Sequence, residues 1–432
     1  MTGTAEIDYQ QLRLDGIYRQ NEAGALMLRV KIPAGVFSVE QARKIGDLAE
    51  RFAGSELHLT TRGSIELHGL RYEDLAPVAV GLAAVGLTTR GACGGAVRGI
   101  ACSASFTAGS DRVQTLARRL HRHFTGNPHF EGLPKKFKIG IDADYAGARH
   151  LIQDVGLIQV DAGRYDVWLA GGLGREPRSG FLFAERVDED RLLPLIEAVV
   201  RVYRKHAPPG RRLKFLADRL GEARLRELIR DEQLGAPERF PPPVLERSPL
   251  PGPVAAEPVE VPIFAGELTA ERLRRLADIA ADHGGGFLAV NGNQNISFAP
   301  ADGAARAAIE KALAAEGLTS GAAAAEATLR VCPGSHLCRM GLAPTRDVAR
   351  QLLAALGPEG QKLSWAISGC PNSCAQAQLA DAGILATHSV KAADGARQPR
   401  FSLLRRTDAG FGRAVAENLD LDGLLLAVRN QG

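Results

Sequence analysis

The sequence predicts an α+β fold built twice over, and three features predict it. First, the chain repeats itself without a gap at a shift of 231 positions. Ala34-Gly35 matches Ala265-Gly266, and Glu40, Arg43, Asp47 and Ala49 match Glu271, Arg274, Asp278 and Ala280. Gly54, Leu57 and Ile65 match Gly285, Leu288 and Ile296, and LAAVGLT from Leu82 matches LAAEGLT from Leu313. A run of that length at one constant shift implies two copies of one structural unit. Second, helix-period stretches alternate with two-residue alternation inside each copy. Third, a Pro-rich run that starts at Pro241, PPPVLERSPLPGPVAAEPVEVP, cannot form a helix or a central strand and reads as an extended connector.

Each copy reads alike. Ser38 or Thr269 is a candidate N-cap, and the helical run behind it ends near Gly54 or Gly285. An alternating strand follows, LHLTTRGSIELHGL in one copy and FLAVNGNQNISFAP in the other. A second helix ends at Gly86 or Gly317. The expected divisions are 1–90 for the first copy, 91–240 behind it, a linker over 241–257, the second copy over 258–320, and 321–432 behind that. Sheet layers covered by helices are the arrangement this order favours.

The 432 residues are enough for several domains, each with its own core. With 45% apolar and 24% charged residues the chain has a globular composition. No run of about 18 apolar residues suggests a membrane span. The first residues, MTGTAEIDYQQLRLDG, lack the basic and apolar regions of a secretory signal, so a cytoplasmic location is expected. A net charge of +4 does not by itself point to nucleic acid. The basic stretch from Arg201 to Arg230 has helical spacing and reads as a solvated face, or as a docking face for an acidic electron donor.

Four of the six cysteines crowd into the last quarter. Cys332 and Cys338 are spaced C-x5-C in RVCPGSHLCRMG, and Cys370 and Cys374 are spaced C-x3-C in WAISGCPNSCAQ. Thiolates are soft ligands, and turns rich in Pro and Gly leave backbone N–H groups free to face sulfur, which suits an iron–sulfur cluster. A structural zinc site is the rival; its ligand pairs are usually closer in sequence. Cys93 and Cys102 read as small buried apolar residues.

The first half also carries cations that the second half lacks at the matching places. Arg62, in LTTRGS, falls opposite Asn293. Arg98 sits in GGAVRGIAC, and Lys135, Lys136 and Lys138 sit in GLPKKFKIGID. Alternation there puts Lys136 and Lys138 on one face, with Phe137 and Ile139 on the other. Such a set suits an anion held at the seam between the halves. Gly171 to Gly174, GGLG, lacks a full dinucleotide fingerprint and reads as turn or close-approach glycines. His58, His68 and His336 read as ordinary strand and loop residues.

At these motifs the chain resembles the siroheme-dependent sulfite and nitrite reductases. The resemblance rests on C-x5-C followed by Gly-Cys-Pro-Asn-x-Cys, on the Leu-Thr-Thr-Arg strand and on the Leu-Pro-x-Lys-Phe-Lys strand. It implies two ferredoxin-like half-domains paired with two larger α/β modules in a pseudo-twofold arrangement. It implies that Cys332, Cys338, Cys370 and Cys374 bind a [4Fe-4S] cluster, with Cys374 also bridging to the iron of siroheme. Lys135 and Asn372 would help to hold the anionic macrocycle. Arg62, Arg98, Lys136 and Lys138 would bind a small oxyanion and supply protons. Gly99 departs from the pattern, which has Asn there. With no flavin or ferredoxin domain in the sequence, an external donor such as ferredoxin or a flavoprotein is expected.

The resemblance implies six-electron reduction of sulfite to sulfide, or of nitrite to ammonia; two arginines and two lysines favour a dianion such as sulfite. The alternative is an oxygenase similar to precorrin-3B synthase of corrinoid synthesis, which keeps the cysteines; the distal lysines speak for the reductase. A non-catalytic iron–sulfur subunit would not need Arg62, Lys136 and Lys138. Neither nucleic acid nor a membrane is an expected partner.

Overall fold

The computed structural model describes residues 7–103, 106, 110–234, 257–318, 320, 327–391 and 395–429. Apart from Glu257, the Pro-rich linker lies outside the described residues.

The repeat seen in the sequence is a repeat of elements. Helix Val39–Phe52 has its counterpart in Ala270–His283. Ser38 caps the first, accepting from the Gln41 N–H at 3.2 Å while the Gln41 side chain accepts from the Ser38 N–H at 3.0 Å. Thr269 caps the second through the Arg272 N–H at 3.1 Å. The two helices are joined by reciprocal ion pairs between repeat mates. Arg43 reaches Asp278 at 2.8 Å, and Arg274 reaches Asp47 at 3.5 Å.

The strands interlock more than the repeat alone implies. Val36–Ser38 of the first copy pairs with Phe287–Val290 of the second, and Glu267–Thr269 of the second pairs with Glu56–Leu59 of the first. Each copy therefore completes the other's sheet, and the two share one apolar core that includes Leu59, Ile65, Leu288 and Ile296.

Each segment expected as a single alternating strand is a hairpin. The first divides into Glu56–Leu59 and Ile65–Leu70, the second into Phe287–Val290 and Ile296–Phe298. The physical reason is the turn. Gly63 takes a left-handed φ of 67°, and the Gly63 N–H donates to the Thr60 carbonyl at 3.1 Å, reversing the chain. Arg62 is thereby carried to a hairpin tip.

Behind each copy lies a five-stranded mixed sheet, and the two sheets have one topology. In the first, Ala101–Cys102, Ile139–Asp142 and Val155–Asp161 run parallel, followed by antiparallel Arg164–Leu169 and Phe181–Asp188. In the second, Leu329–Val331, Trp365–Ser368 and Ala382–Lys391 run parallel, followed by antiparallel Arg397–Arg405 and Arg413–Leu419. Helices Ser110–Phe124 and Thr345–Ala355 occupy equivalent crossovers. Each sheet has its own apolar core. The duplication therefore covers these α/β units too, although their sequences do not align by inspection.

The likeness extends to single contacts. The Lys138 N–H donates to the Asp154 carboxylate at 2.7 Å, and at the equivalent place the Ser364 N–H donates to Asp381 at 2.9 Å. Among the described residues no helix is long and apolar enough to cross a membrane.

Candidate functional site

Cys332 directly follows strand Leu329–Val331, and Cys370 and Cys374 follow the adjacent parallel strand Trp365–Ser368. Loops leaving the carboxyl ends of neighbouring parallel strands emerge on one edge, where open α/β sheets place their ligands. Cys338 ends the short helix Gly334–Leu337. The Leu342 N–H donates to the Gly369 carbonyl at 2.7 Å and ties the two loops together, and the Thr345 hydroxyl donates to the Cys332 carbonyl at 2.6 Å and closes the first loop on itself.

Backbone N–H groups point at the sulfurs. Gly369 donates to the Cys332 Sγ at 3.1 Å. Gly334 also faces Cys332, Met340 faces Cys338, and Asn372 faces Cys370. Burial pushes the Cys332 and Cys370 thiols up and the Cys338 thiol up to about 11, and the charge of Cys374 adds to all three rises. All four cysteines therefore share one electrostatic neighbourhood. Cys332 and Cys370 are buried, Cys338 is half-buried, and Cys374 is exposed. Among the described residues no set of three or more His, Cys, Asp or Glu side chains is close enough to hold a single metal ion. A cluster makes a different demand, holding its ligands apart around its own iron and sulfide.

The cations lie across the seam. Phe137 and Ile139 are fully buried and Lys136 and Lys138 half-buried, the alternation expected of this segment. The strand itself starts at Ile139, so both lysines sit at its entrance. Burial, then Arg212, pushes the Lys136 ammonium down to about 8, and burial pushes Lys138 well down; for both, Cys374 acts in the opposite direction. Cys374 thus lies within electrostatic reach of these two lysines. The Thr61 hydroxyl closes the seam, donating to the Cys374 carbonyl at 3.0 Å.

Arg62 and Arg98 are more tied down than the sequence implies. Arg62 donates to Gln153 at 2.8 Å, to the Gly99 carbonyl at 2.9 Å and to the Ile139 carbonyl at 3.0 Å. Burial, then Arg98 and Arg212, pushes its guanidinium down to about 9. Arg98 is buried and turned back onto the carbonyls of Ala92 and Gly94. Arg98 remains within electrostatic reach of Lys136, and Arg62 of Lys138. Lys135 and Asn372 are exposed.

Two residues of this neighbourhood escape the sequence reading. Arg212 and Asp154 form a buried ion pair at 2.7 Å, with side-chain exposures of 5% and 0%. Arg212 belongs to the basic stretch read as a solvated or docking face; that reading fails for Arg212 and Lys214, both buried. They fasten the 171–174 glycine loop instead. Arg212 donates to the Gly171 carbonyl at 3.1 Å and Lys214 to the Leu173 carbonyl at 3.2 Å. A Cβ on Gly172 would lie 2.2 Å from the Arg212 Nη1, so close approach accounts for that glycine. His336 lies 3.1 Å from Asp347. His58 and His68 are buried beside Glu66, and burial pushes the His58 imidazole down to about 3. Cys93 is fully buried and accepts from Arg29 at 3.6 Å.

By register, the first sheet carries other residues where the second carries its cysteines. Cys102 pairs with Ile141 as Val331 pairs with Ile367, so Ser103 stands where Cys332 does, and Asp144 where Cys370 does. A cavity of about 10 Å³ remains there, lined by Ser103, Asp142, Arg149, Arg62 and Gln153.

Residues 18–85 and 259–316 match the nitrite/sulfite reductase ferredoxin-like half domain, and residues 101–238 match the nitrite and sulphite reductase 4Fe-4S domain. The chain belongs to the nitrite and sulfite reductase family. A sulfite reductase (ferredoxin) of Mycobacterium tuberculosis strain H37Rv is 28% identical, over 92% of this chain and 77% of that protein. A ferredoxin–nitrite reductase of Synechococcus elongatus is also 28% identical, over 87% of this chain and 79% of its own length. The solved structure of the Mycobacterium tuberculosis NirA protein superposes with a TM-score of 0.82 at 25% identity, covering 98% of this chain and 87% of the other.

The cofactors of this family are a [4Fe-4S] cluster and siroheme. The residues present fit both. Four thiols, three of them with N–H groups aimed at the sulfur, suit the cluster, and cations within electrostatic reach of Cys374 suit an anionic macrocycle. The 4Fe-4S domain match falls on the α/β unit without the cysteines, and the shared strand order carries the likeness to the unit that has them.

Proposed function

We propose that this chain reduces sulfite to sulfide in a six-electron reaction, with nitrite to ammonia as the companion activity. The single observation that carries the reading is the meeting of the cysteine loop with the cation-bearing half, where the Thr61 hydroxyl donates to the Cys374 carbonyl at 3.0 Å and Cys374 lies within electrostatic reach of Lys136 and Lys138. Siroheme and a [4Fe-4S] cluster would supply the one-electron redox chemistry that the reaction needs.

The chain's own groups do the rest. Cys332, Cys338, Cys370 and Cys374 would hold the cluster, and Cys374 would also be the cysteine shared with siroheme. Lys135 and Asn372 engage the macrocycle's carboxylates at the exposed rim. Lys136 and Lys138 stabilise the anion and the charge that develops as each oxygen leaves. An ammonium pushed down to about 8 also gives up a proton readily near neutral pH, which the departure of water requires. Arg62 and Arg98, anchored to backbone carbonyls, add fixed positive charge and hold the pocket's shape. Electrons come from an external donor, ferredoxin or a flavoprotein; relatives named for ferredoxin support this choice.

The matches to sulfite and nitrite reductases support this reading over the oxygenase of corrinoid synthesis. The test is turnover of each anion by the purified holoprotein with a reduced dye. Sulfite turnover exceeding nitrite turnover is expected. A protein with cluster absorption but no siroheme bands in the red would overturn the reading.

A further inference from the structure

One buried cation has no part in the mechanism above. Lys31 follows strand Leu26–Val30, and its N–H donates to the Thr88 carbonyl at 2.9 Å. The residue is 1% exposed. Its ammonium donates to the Thr125 hydroxyl at 2.8 Å, and among the described residues no carboxylate pairs with it. A lysine is almost never fully buried unless paired, because desolvation penalises the charge. An apolar side chain of similar length would fill this space without that penalty.

Its surroundings explain what the charge does there. The stem runs beneath Gly99, where a Cβ would lie 3.9 Å from the Lys31 Cε, and Gly91 lies over the ammonium. The Gly99 carbonyl is the one that anchors Arg62. Arg98 is buried beside Lys31, with its Nε unpartnered. Lys31 therefore sits one layer behind both arginines. The charged and titratable groups that face it are Arg98, Glu131, Cys93 and His121. Glu131 is already held by Arg90. Burial, then Arg98, pushes the ammonium down to about 7, so its charge changes near neutral pH.

We propose that Lys31 is a positioning residue of the anion pocket, whose charge behind Arg98 and Arg62 raises oxyanion affinity while it is protonated. This rests on the reductase reading. As pH rises through the transition, the pocket loses one positive charge and anion affinity falls, without loss of any group that touches substrate.

The experiment is a spectral titration of the oxidised holoenzyme with nitrite from about pH 6 to about pH 8.5. Nitrite serves because it keeps one charge over that range, whereas sulfite does not. The wild-type Kd should rise several-fold across the range. Lys31→Met should lack the step near pH 7, binding more weakly than the wild type at low pH and keeping only the rise near pH 8 that Lys136 gives; Lys31→Arg should also lack the step but bind as tightly as the wild type at low pH. With the KM for nitrite following Kd, kcat should change much less. Thr125→Val, which removes the oxygen that accepts from the ammonium, should move the wild-type midpoint to lower pH; this variant serves if Lys31→Met fails to load cofactor. A Lys31→Met curve parallel to the wild type's, or a midpoint unmoved in Thr125→Val, would overturn the proposal alone. Absence of siroheme bands in the wild type would overturn the reductase reading and this proposal with it.

Discussion

The Thr61 hydroxyl donates to the Cys374 carbonyl at 3.0 Å, and this bond joins the cation-bearing half to the cysteine-bearing half at the centre of the site. Thr61 is next to Arg62, so one turn fixes both an arginine and a cysteine loop. Thr61→Ala removes this part-buried bond, a net loss of about 0.5–1.5 kcal/mol. The loaded protein should lose iron to a chelator several-fold faster, and Thr61→Ser should restore the wild-type rate.

Lys136→Ala and Lys138→Ala should each lower sulfite turnover about 100-fold, the scale of losing one preorganised electrostatic stabiliser. Steady-state rates with a reduced dye, at equal siroheme content, check this. A non-catalytic iron–sulfur subunit would show no difference.

The ordinary pKa of a lysine is far above 8, so the fold holds the Lys136 proton more weakly than water does. Its charge is present below about pH 8 and is lost as pH rises through that value. Anion turnover should fall on that limb, and Lys136→Arg, whose charge persists, should move the fall to higher pH.

Asp154 serves Arg212 and the Lys138 backbone at once. Asp154→Asn strands a buried guanidinium, and breaking such a pair costs about 3–5 kcal/mol. Thermal melting should show a lower midpoint, together with weaker turnover as the entrance to strand Ile139–Asp142 loosens.

These contacts mark the limit of what sequence reveals. The half-domain repeat was legible because Ala34-Gly35 and Ala265-Gly266 are held to the same residues by the same left-handed backbone. The cysteines were legible because tight loops at strand ends keep their ligands close in sequence. The second duplication was not, because a sheet's topology tolerates replacement of Ser103 by Cys332. Nor was the Asp154–Arg212 pair, whose partners come together only through folding. The hairpin tips were misread as continuous strands because TTRGS and NGNQN keep the alternation through the turn.

Asp142 gives a further test, on stability. Burial pushes its carboxyl up to about 6, and one oxygen has no partner. Because the folded-state value lies above the ordinary 3.8, ionisation works against the fold. The penalty is absent below the ordinary value, grows as pH rises through the window and is complete above about 6. Asp142→Asn should therefore raise the melting midpoint at neutral pH, by a gain of about 2–3 kcal/mol at most. The gain should vanish in acid below the ordinary value.

We propose that four thiolates from two neighbouring loops hold one iron–sulfur cluster against a cationic wall. Metal and acid-labile sulfide analysis of the purified protein, beside the Cys370→Ser variant, tests it most directly. Iron and labile sulfide are expected in the wild type, with loss of both in the variant. Zinc in place of iron, or iron and sulfide retained by the variant, would contradict it.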